Sequence, residues 1–215
     1  MKEIPILHKR ITGMAAHRGK LSVGILGTHK GCGVTHLGIL LANYFSMYAG
    51  CRTAFLECHP QHDMQSLQSY VYGDPPPDNG GSFKVCRVSY YGNIKEQAIA
   101  EVVGDNYDCV ILDFGTDLSR CKNEFLRCDK RIVVSSLAPW KIYELERFIV
   151  STGHIKFSGQ WIYAVSFAKS REIKRAAQDL GREICAIPYE SDPFDLSGES
   201  ARTLRQLIKI PAGRR

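Results

Sequence analysis

The chain has 215 residues, 44% of them hydrophobic and 23% charged, and a net charge of +6. These ordinary globular values exclude a disordered, collagenous or coiled-coil chain and predict a single domain. No apolar run approaches the roughly 18 residues that cross a bilayer.

Residues 1–20 carry Lys2, Lys9, Arg10, Arg18 and Lys20 against one acid, Glu3. They have no periodicity and no apolar core, and read as a basic lead-in rather than a secretory signal. Residues 21–26 form a short apolar run, a buried strand. A glycine-bearing loop follows over 27–33. Leu37, Leu40, Leu41, Tyr44 and Phe45 then recur at helical spacing, with a stop at Gly50. Residues 53–58 predict a strand, 63–70 a short helix, and the proline- and glycine-rich stretch 74–82 a loop. Strands follow at 83–89, 109–113, 131–135, 161–166 and 183–187. Helices alternate with them at 94–103, 118–126, 140–149, 168–180 and 197–208. Trp140, at the head of its helix, is read as a core residue.

Strands apolar on both faces, alternating with helices, predict an α/β fold. The expectation is one three-layer domain over 21–210, with a mostly parallel sheet of about seven strands and helices on both faces. A short basic tail, 211–215, ends the chain. The eight cysteines contain no C-x-x-C pair, and several lie in apolar runs, as Cys109 does. They read as reduced core thiols of a cytoplasmic protein.

A strand, a glycine-rich turn and a helix form a setting in which backbone N–H groups can cradle phosphate. Here the turn reads Gly27-Thr28-His29-Lys30-Gly31-Cys32-Gly33-Val34-Thr35-His36. It only partly obeys G-x-x-x-x-G-K-[ST]. One register starts from Lys30 and leaves Thr35 at the lysine position. The preferred register aligns Gly31-Cys32-Gly33-Val34-Thr35 with G-x-G-K-T. It keeps both glycines and the hydroxyl, and puts Val34 in the place of the lysine and Thr28 in that of the first glycine. A nicotinamide site is not indicated, because His36 stands where the third glycine of G-x-G-x-x-G belongs.

With that register, residues 27–42 resemble the deviant Walker A region of the MinD/ParA-type ATPases, K-G-G-x-G-K-T-T followed by a helix ending in N-L-A. Phe55-Leu56-Glu57-Cys58-His59-Pro60-Gln61 resembles the family's L-I-D-x-D-P-Q. Tyr107-Asp108-Cys109-Val110-Ile111-Leu112-Asp113-Phe114-Gly115 resembles its Walker B strand. Cys128-Asp129-Lys130-Arg131-Ile132-Val133-Val134 resembles its A-D-x-V-I-V-V strand, and Ile187-Pro188-Tyr189 its segment beside the adenine pocket. The departures make it similar to degenerate members such as the CpaE/TadZ-like proteins of pilus assembly.

The resemblance implies ATP or ADP with Mg²⁺, bound by His29, Lys30, Gly31, Cys32, Gly33, Val34, Thr35 and His36, with Pro188 and Tyr189 at the base. His29 falls on the family's dimer-crossing lysine. Thr35 and, through water, Asp113 would hold the metal. His59 stands where the family places a carboxylate that orients water, and Glu57 on the preceding acid. At Ser166-Phe167 the base-reading Asn of relatives is missing. Valine cannot neutralise phosphate charge as lysine does, so hydrolysis should be slow or absent. Cys32, inside the loop, predicts a thiol whose alkylation nucleotide would slow.

The function implied is a nucleotide-dependent switch, positioning or partitioning factor, working as a homodimer and with a protein partner. An active ATPase or kinase-like transferase of the same fold, or a scaffold that binds no nucleotide, are the alternatives. On the last helix Arg202, Arg205 and Lys209 share one face, with Leu204, Leu207 and Ile208 opposite and Arg214 and Arg215 beyond. That face is a candidate contact for nucleic acid or an anionic membrane.

Overall fold

The computed structural model describes residues 20–74 and 81–209. The basic lead-in over 1–19, most of the 74–82 loop and the tail over 211–215 lie outside them. The chain alternates as the hydrophobic pattern predicts. In order it forms β1 (Leu21–Gly27), α1 (Val34–Asn43), β2 (Thr53–Glu57), α2 (Asp63–Tyr72), β3 (Ser82–Val85), β4 (Val88–Tyr91), α3 (Glu96–Gly104) and β5 (Cys109–Asp113). Then come α4 (Leu118–Arg127), β6 (Lys130–Ser136), α5 (Ile142–Thr152), β7 (Ile162–Ser166), α6 (Ser170–Leu180), β8 (Ile184–Ala186) and α7 (Gly198–Lys209).

Among the described residues, eight strands make one sheet in the order β3-β4-β2-β5-β1-β6-β7-β8. Every pairing is parallel except β3 with β4. Period-two alternation divides the core into two layers. Val23 and Ile25 of β1, Ile111 of β5 and Val134 of β6 face α1 and α7, where Leu37, Leu40, Leu41 and Leu204 are fully buried. Leu26, Val110, Leu112 and Val133 face the other way, against Phe125 of α4, Leu145 of α5 and Ala176 of α6. The strands at the centre are buried on both faces, which is why they read as unbroken apolar runs.

Three local features differ from the sequence reading. The stretch read as one strand over 83–89 is a hairpin: Val85 pairs with Val88, and Cys86 (φ 48°) and Arg87 (φ 67°) form its two-residue turn. Both turn residues have positive φ, as a turn twisted to match its strands requires. Cys-Arg carries none of the usual Asn-Gly signal, and the alternation runs through the turn unbroken. The first helix continues into a π-helical turn, Tyr44–Tyr48. There Asn43 Nδ2 donates to Pro193 O across 3.0 Å, and Tyr48 Oη donates to Leu196 O across 2.8 Å, so the widened turn ties down the strap that leads to α7. Trp140 precedes α5 and is 72% exposed; it is not a core residue.

The apolar face of α7 is a core face: Leu204, Leu207 and Ile208 are buried against the α1 layer. Arg202 and Lys209 are exposed, so the helix presents only its charged side to a partner. Among the described residues no helix is long and apolar enough to cross a membrane.

Candidate functional site

Parallel strands end on the same side of the sheet, so the loops after β1, β2 and β5 meet over its carboxyl edge. Ligand crevices of open α/β sheets form at such an edge, where neighbouring strands send their chains to opposite sides. Here that point is β1, flanked by β5 and β6.

The loop after β1 is held from both sides. Thr28 N donates to Val134 O (2.9 Å), Thr28 Oγ1 and Ser135 Oγ lie 2.8 Å apart, and Ser166 Oγ donates to Cys32 O (3.1 Å). Gly31 (φ 77°) and Gly33 (φ 101°) adopt backbone conformations that other residues rarely take. A β-carbon on Gly31 would meet nothing within 4 Å, and one on Gly33 only Ser166 Oγ at 3.9 Å. The space over the loop is therefore open. Gly33 caps α1 without a side chain, and no acidic residue occupies the first turn of that helix. The N-terminal partial charge of α1 is left for an external anion. His29 Nδ1 lies 2.9 Å from Lys30 O, while its Nε2 is buried with no hydrogen-bond partner. Lys30 is exposed.

Behind the loop, Thr35 Oγ1 donates to Asp113 Oδ2 across 2.7 Å, and Gly115 N donates to Asp113 Oδ1 across 2.9 Å. His59 Nε2 lies 3.2 Å from Asp113 Oδ1, off the line of a hydrogen bond. The His59 side chain is 7% exposed and that of Asp113 fully buried. Burial opposes protonation of His59, but the Asp113 carboxylate, with Glu57 and Asp63 behind it, outweighs burial and raises its pKa above the usual 6.5. Gly115 (φ 64°) lies flat against this imidazole; a β-carbon there would come within 3.2 Å of the ring.

Val34 is buried, with its side chain in the α1 core layer rather than over the loop. Cys32 is likewise 2% exposed, and burial pushes its thiol above the usual range. It is not the accessible loop thiol that its position in sequence suggests.

On the other flank, a cavity of about 330 Å³ is lined by Gly31, Gly33, His36, Phe167, Pro188 and Tyr189, among others. The rings of Phe167 and Tyr189 stand 5.5 Å apart, tilted by 56°, and are 84% and 70% exposed. Burial lowers the pKa of His36, opposed by the Glu190 backbone and carboxylate.

The chain matches no protein-family model and no curated protein. Solved structures do match. A plasmid partition protein of Borrelia burgdorferi, bound to AMPPNP, aligns at 15% identity over 89% of this chain and 98% of its own, with a TM-score of 0.65. The MinC:MinD cell division complex of Aquifex aeolicus aligns at 16% identity over 90% and 99%, also with a TM-score of 0.65. Pyrococcus horikoshii MinD complexed with Mg-ADP aligns at 14% identity over 90% and 88%, with a TM-score of 0.53. The fold is of the MinD/ParA type.

Within this MinD/ParA-type fold, the structure brings together His29 to His36, Asp113 and His59 in one crevice, with Pro188 and Tyr189 on its flank. Glu57 borders it, with a carboxylate oxygen within 4.8 Å of a His59 ring nitrogen. Its fully buried carboxylate accepts hydrogen bonds from Asp63 N (2.7 Å), Met64 N (3.3 Å) and Asn93 N (3.0 Å). It caps α2 and anchors the loop after β4, which leaves little of it for a reacting water. Sequence reasoning missed the clamp of Ser166 on Cys32, the contact of Gly115 with His59 and the pairing of Phe167 with Tyr189. The one signal available for the last was an aromatic residue directly after a predicted strand on the crevice side.

The donor set suits a phosphate and a hard cation. An uncapped helix start, two positive-φ glycines and an orphaned His29 nitrogen fit the anion. A hydroxyl beside a carboxylate fits an oxygen-seeking ion such as Mg²⁺.

Proposed function

We propose that the chain is an atypical MinD/ParA-like nucleotide-binding protein that takes ATP or ADP with Mg²⁺ at the loop after β1. It acts as a switch, positioning or partitioning factor with weak or absent hydrolysis. The observation that carries this reading is the uncapped start of α1 at Gly33, set directly above the Thr35–Asp113 pair. Backbone N–H groups of residues 31–36 would hold the phosphates. Thr35 would hold Mg²⁺, which supplies charge neutralisation there, and Asp113 would orient a water on the metal. His29 and Lys30 would face the phosphates from the loop, and Pro188 and Tyr189 would flank the base. His59, which contacts Asp113 and Gly115, would hold a water at the terminal phosphate.

Val34 supports weak turnover. It offers no charge, and its packing leaves no ammonium group at that point of the crevice. The AMPPNP and Mg-ADP carried by two of the solved relatives, and the MinC partner of a third, support nucleotide binding and a protein partner here. A homodimer is part of the same reading. So is a cytoplasmic site of action, which accords with eight free cysteines.

Calorimetric titration of Mg-AMPPNP tests it. Thr35→Ala and Gly33→Asp should each weaken binding at least about tenfold, a loss of roughly 1.4 kcal/mol. Unchanged affinity in both variants overturns the site. Absence of any thermal stabilisation by Mg-ATP would instead favour a scaffold without nucleotide. Rapid release of labelled phosphate would favour an active enzyme.

A further inference from the structure

A second and larger cavity, about 690 Å³, opens on the other side of the loop. It lies over the carboxyl ends of β4, β2 and β5, whereas the cavity of Phe167 and Tyr189 lies over β7 and β8. Its walls bring Lys30, Lys95 and Arg120 together from three distant chain segments. None of the three makes an ion pair with a described residue. The acids on the rim are already engaged. Asp117 Oδ1 accepts from Ser119 N (3.0 Å) and from its hydroxyl, and Glu124 pairs with Arg127.

Helix α3, nine residues long, starts at this cavity, and its N-cap Lys95 makes no side-chain cap hydrogen bond. The buried His59, whose Nε2 faces Asp113 Oδ1 across 3.2 Å, forms part of the wall. The lining mixes polar and apolar side chains; Pro60 and Ile94 are its accessible apolar residues, over a buried floor of Ile99 and Phe114.

We propose that this cavity binds a second ligand, a small organic phosphate, independently of any nucleotide on the loop after β1. Lys95 and Arg120 would take the phosphate, with the planar guanidinium able to bond two of its oxygens at once. Pro60 and Ile94 would take the organic body. The cavity falls in the range that accommodates small molecules and exceeds what a bare phosphate needs.

The test is calorimetry on the full chain with two probes, inorganic phosphate and phenyl phosphate. Phenyl phosphate should bind several-fold more tightly, because its ring removes apolar surface from water. The double variant Lys95→Ala/Arg120→Ala, checked by circular dichroism for its fold, should weaken phenyl phosphate at least about tenfold. It should leave Mg-AMPPNP within about twofold. Gly33→Asp should do the reverse, keeping phenyl phosphate and losing Mg-AMPPNP. Unchanged phenyl phosphate affinity in the double variant overturns the proposal, as does its loss in Gly33→Asp alone or the absence of saturable binding. Equal affinity for the two probes overturns the organic part. A wild-type chain that binds phenyl phosphate but no Mg-AMPPNP would refute the nucleotide reading and leave this site standing. Binding of an acidic peptide with no binding of either phosphate would point to a protein partner and also overturn it.

Discussion

Val34 packs directly onto Gly27: a β-carbon on that glycine would stand 2.7 Å from Val34 Cγ2, and 2.6 Å from Cys32 Sγ. The residue at the lysine position is thus a core residue, and the end of β1 is shaped around it. Gly27→Ala should destabilise the protein by about 1–3 kcal/mol through overpacking. A urea-denaturation midpoint measures this. Adding Val34→Ala should recover part of the loss, since the two positions are in contact. An additive double variant would show that the clash lies elsewhere.

The Glu57 carboxylate accepts from three backbone N–H groups, those of Asp63, Met64 and Asn93. Of its three backbone donors, that of Met64 is buried, while those of Asp63 and Asn93 belong to exposed residues. Glu57→Leu should cost about 1–3 kcal/mol, because it strands the buried N–H of Met64. A fold of unchanged stability with lost nucleotide turnover would return Glu57 to the chemistry.

The two crevice histidines give stability opposite dependences on pH. The pKa of His59 is raised from 6.5, so its contribution is complete below that value and fades as pH rises through its folded-state pKa. The pKa of His36 is lowered from 6.5, so its contribution is complete above that value and fades as pH falls through its folded-state pKa. The wild type should therefore show a shallow profile near neutrality. His59→Gln should lose stability more steeply as pH falls, and His36→Gln more steeply as pH rises. Thermal melts from pH 5 to pH 8, a span of roughly that in which histidine titrates, check both signs.

Thiol reactivity should follow exposure rather than position in the loop. Cys86, in the hairpin turn, is exposed. Cys32, Cys109, Cys121 and Cys128 are buried, and burial raises each of their thiols. A native chain should show one fast-labelling thiol, abolished by Cys86→Ser. Cys32 should label only as the protein unfolds. Fast labelling of Cys32, slowed by Mg-ATP, would place its sulfur on the open side of the loop.

Much of this architecture was legible in advance. Central strands buried on both faces leave continuous apolar runs, so β5 could be read with its boundaries and β1 and β6 to within one residue at each end. Gly31 and Gly33 were legible because only glycine suits their conformations. Asp113 was legible because a carboxylate at the end of an apolar run must face the strand ends. The hairpin at Cys86 was not, since neither turn residue advertises positive φ. Nor was the exposure of Trp140, because an aromatic residue before a helix looks the same whether or not a neighbour covers it. The direction of Glu57 depends on where α2 begins relative to β2, and no local pattern encodes that.

Local pattern is enough to give the alternation of strands and helices, the glycine loop with its hydroxyl and carboxylate, and a valine rather than a lysine at position 34. Those are properties of one residue or of a period within one segment. Only the tertiary structure decided that Val34 and Cys32 point into the core and that Phe167 meets Tyr189. It alone decided that Glu57 serves α2 and that Lys30, Lys95 and Arg120 surround one cavity. Each of these depends on how segments far apart in the chain are brought side by side by the strand order, and a strand order is set by packing, not by any single stretch of residues.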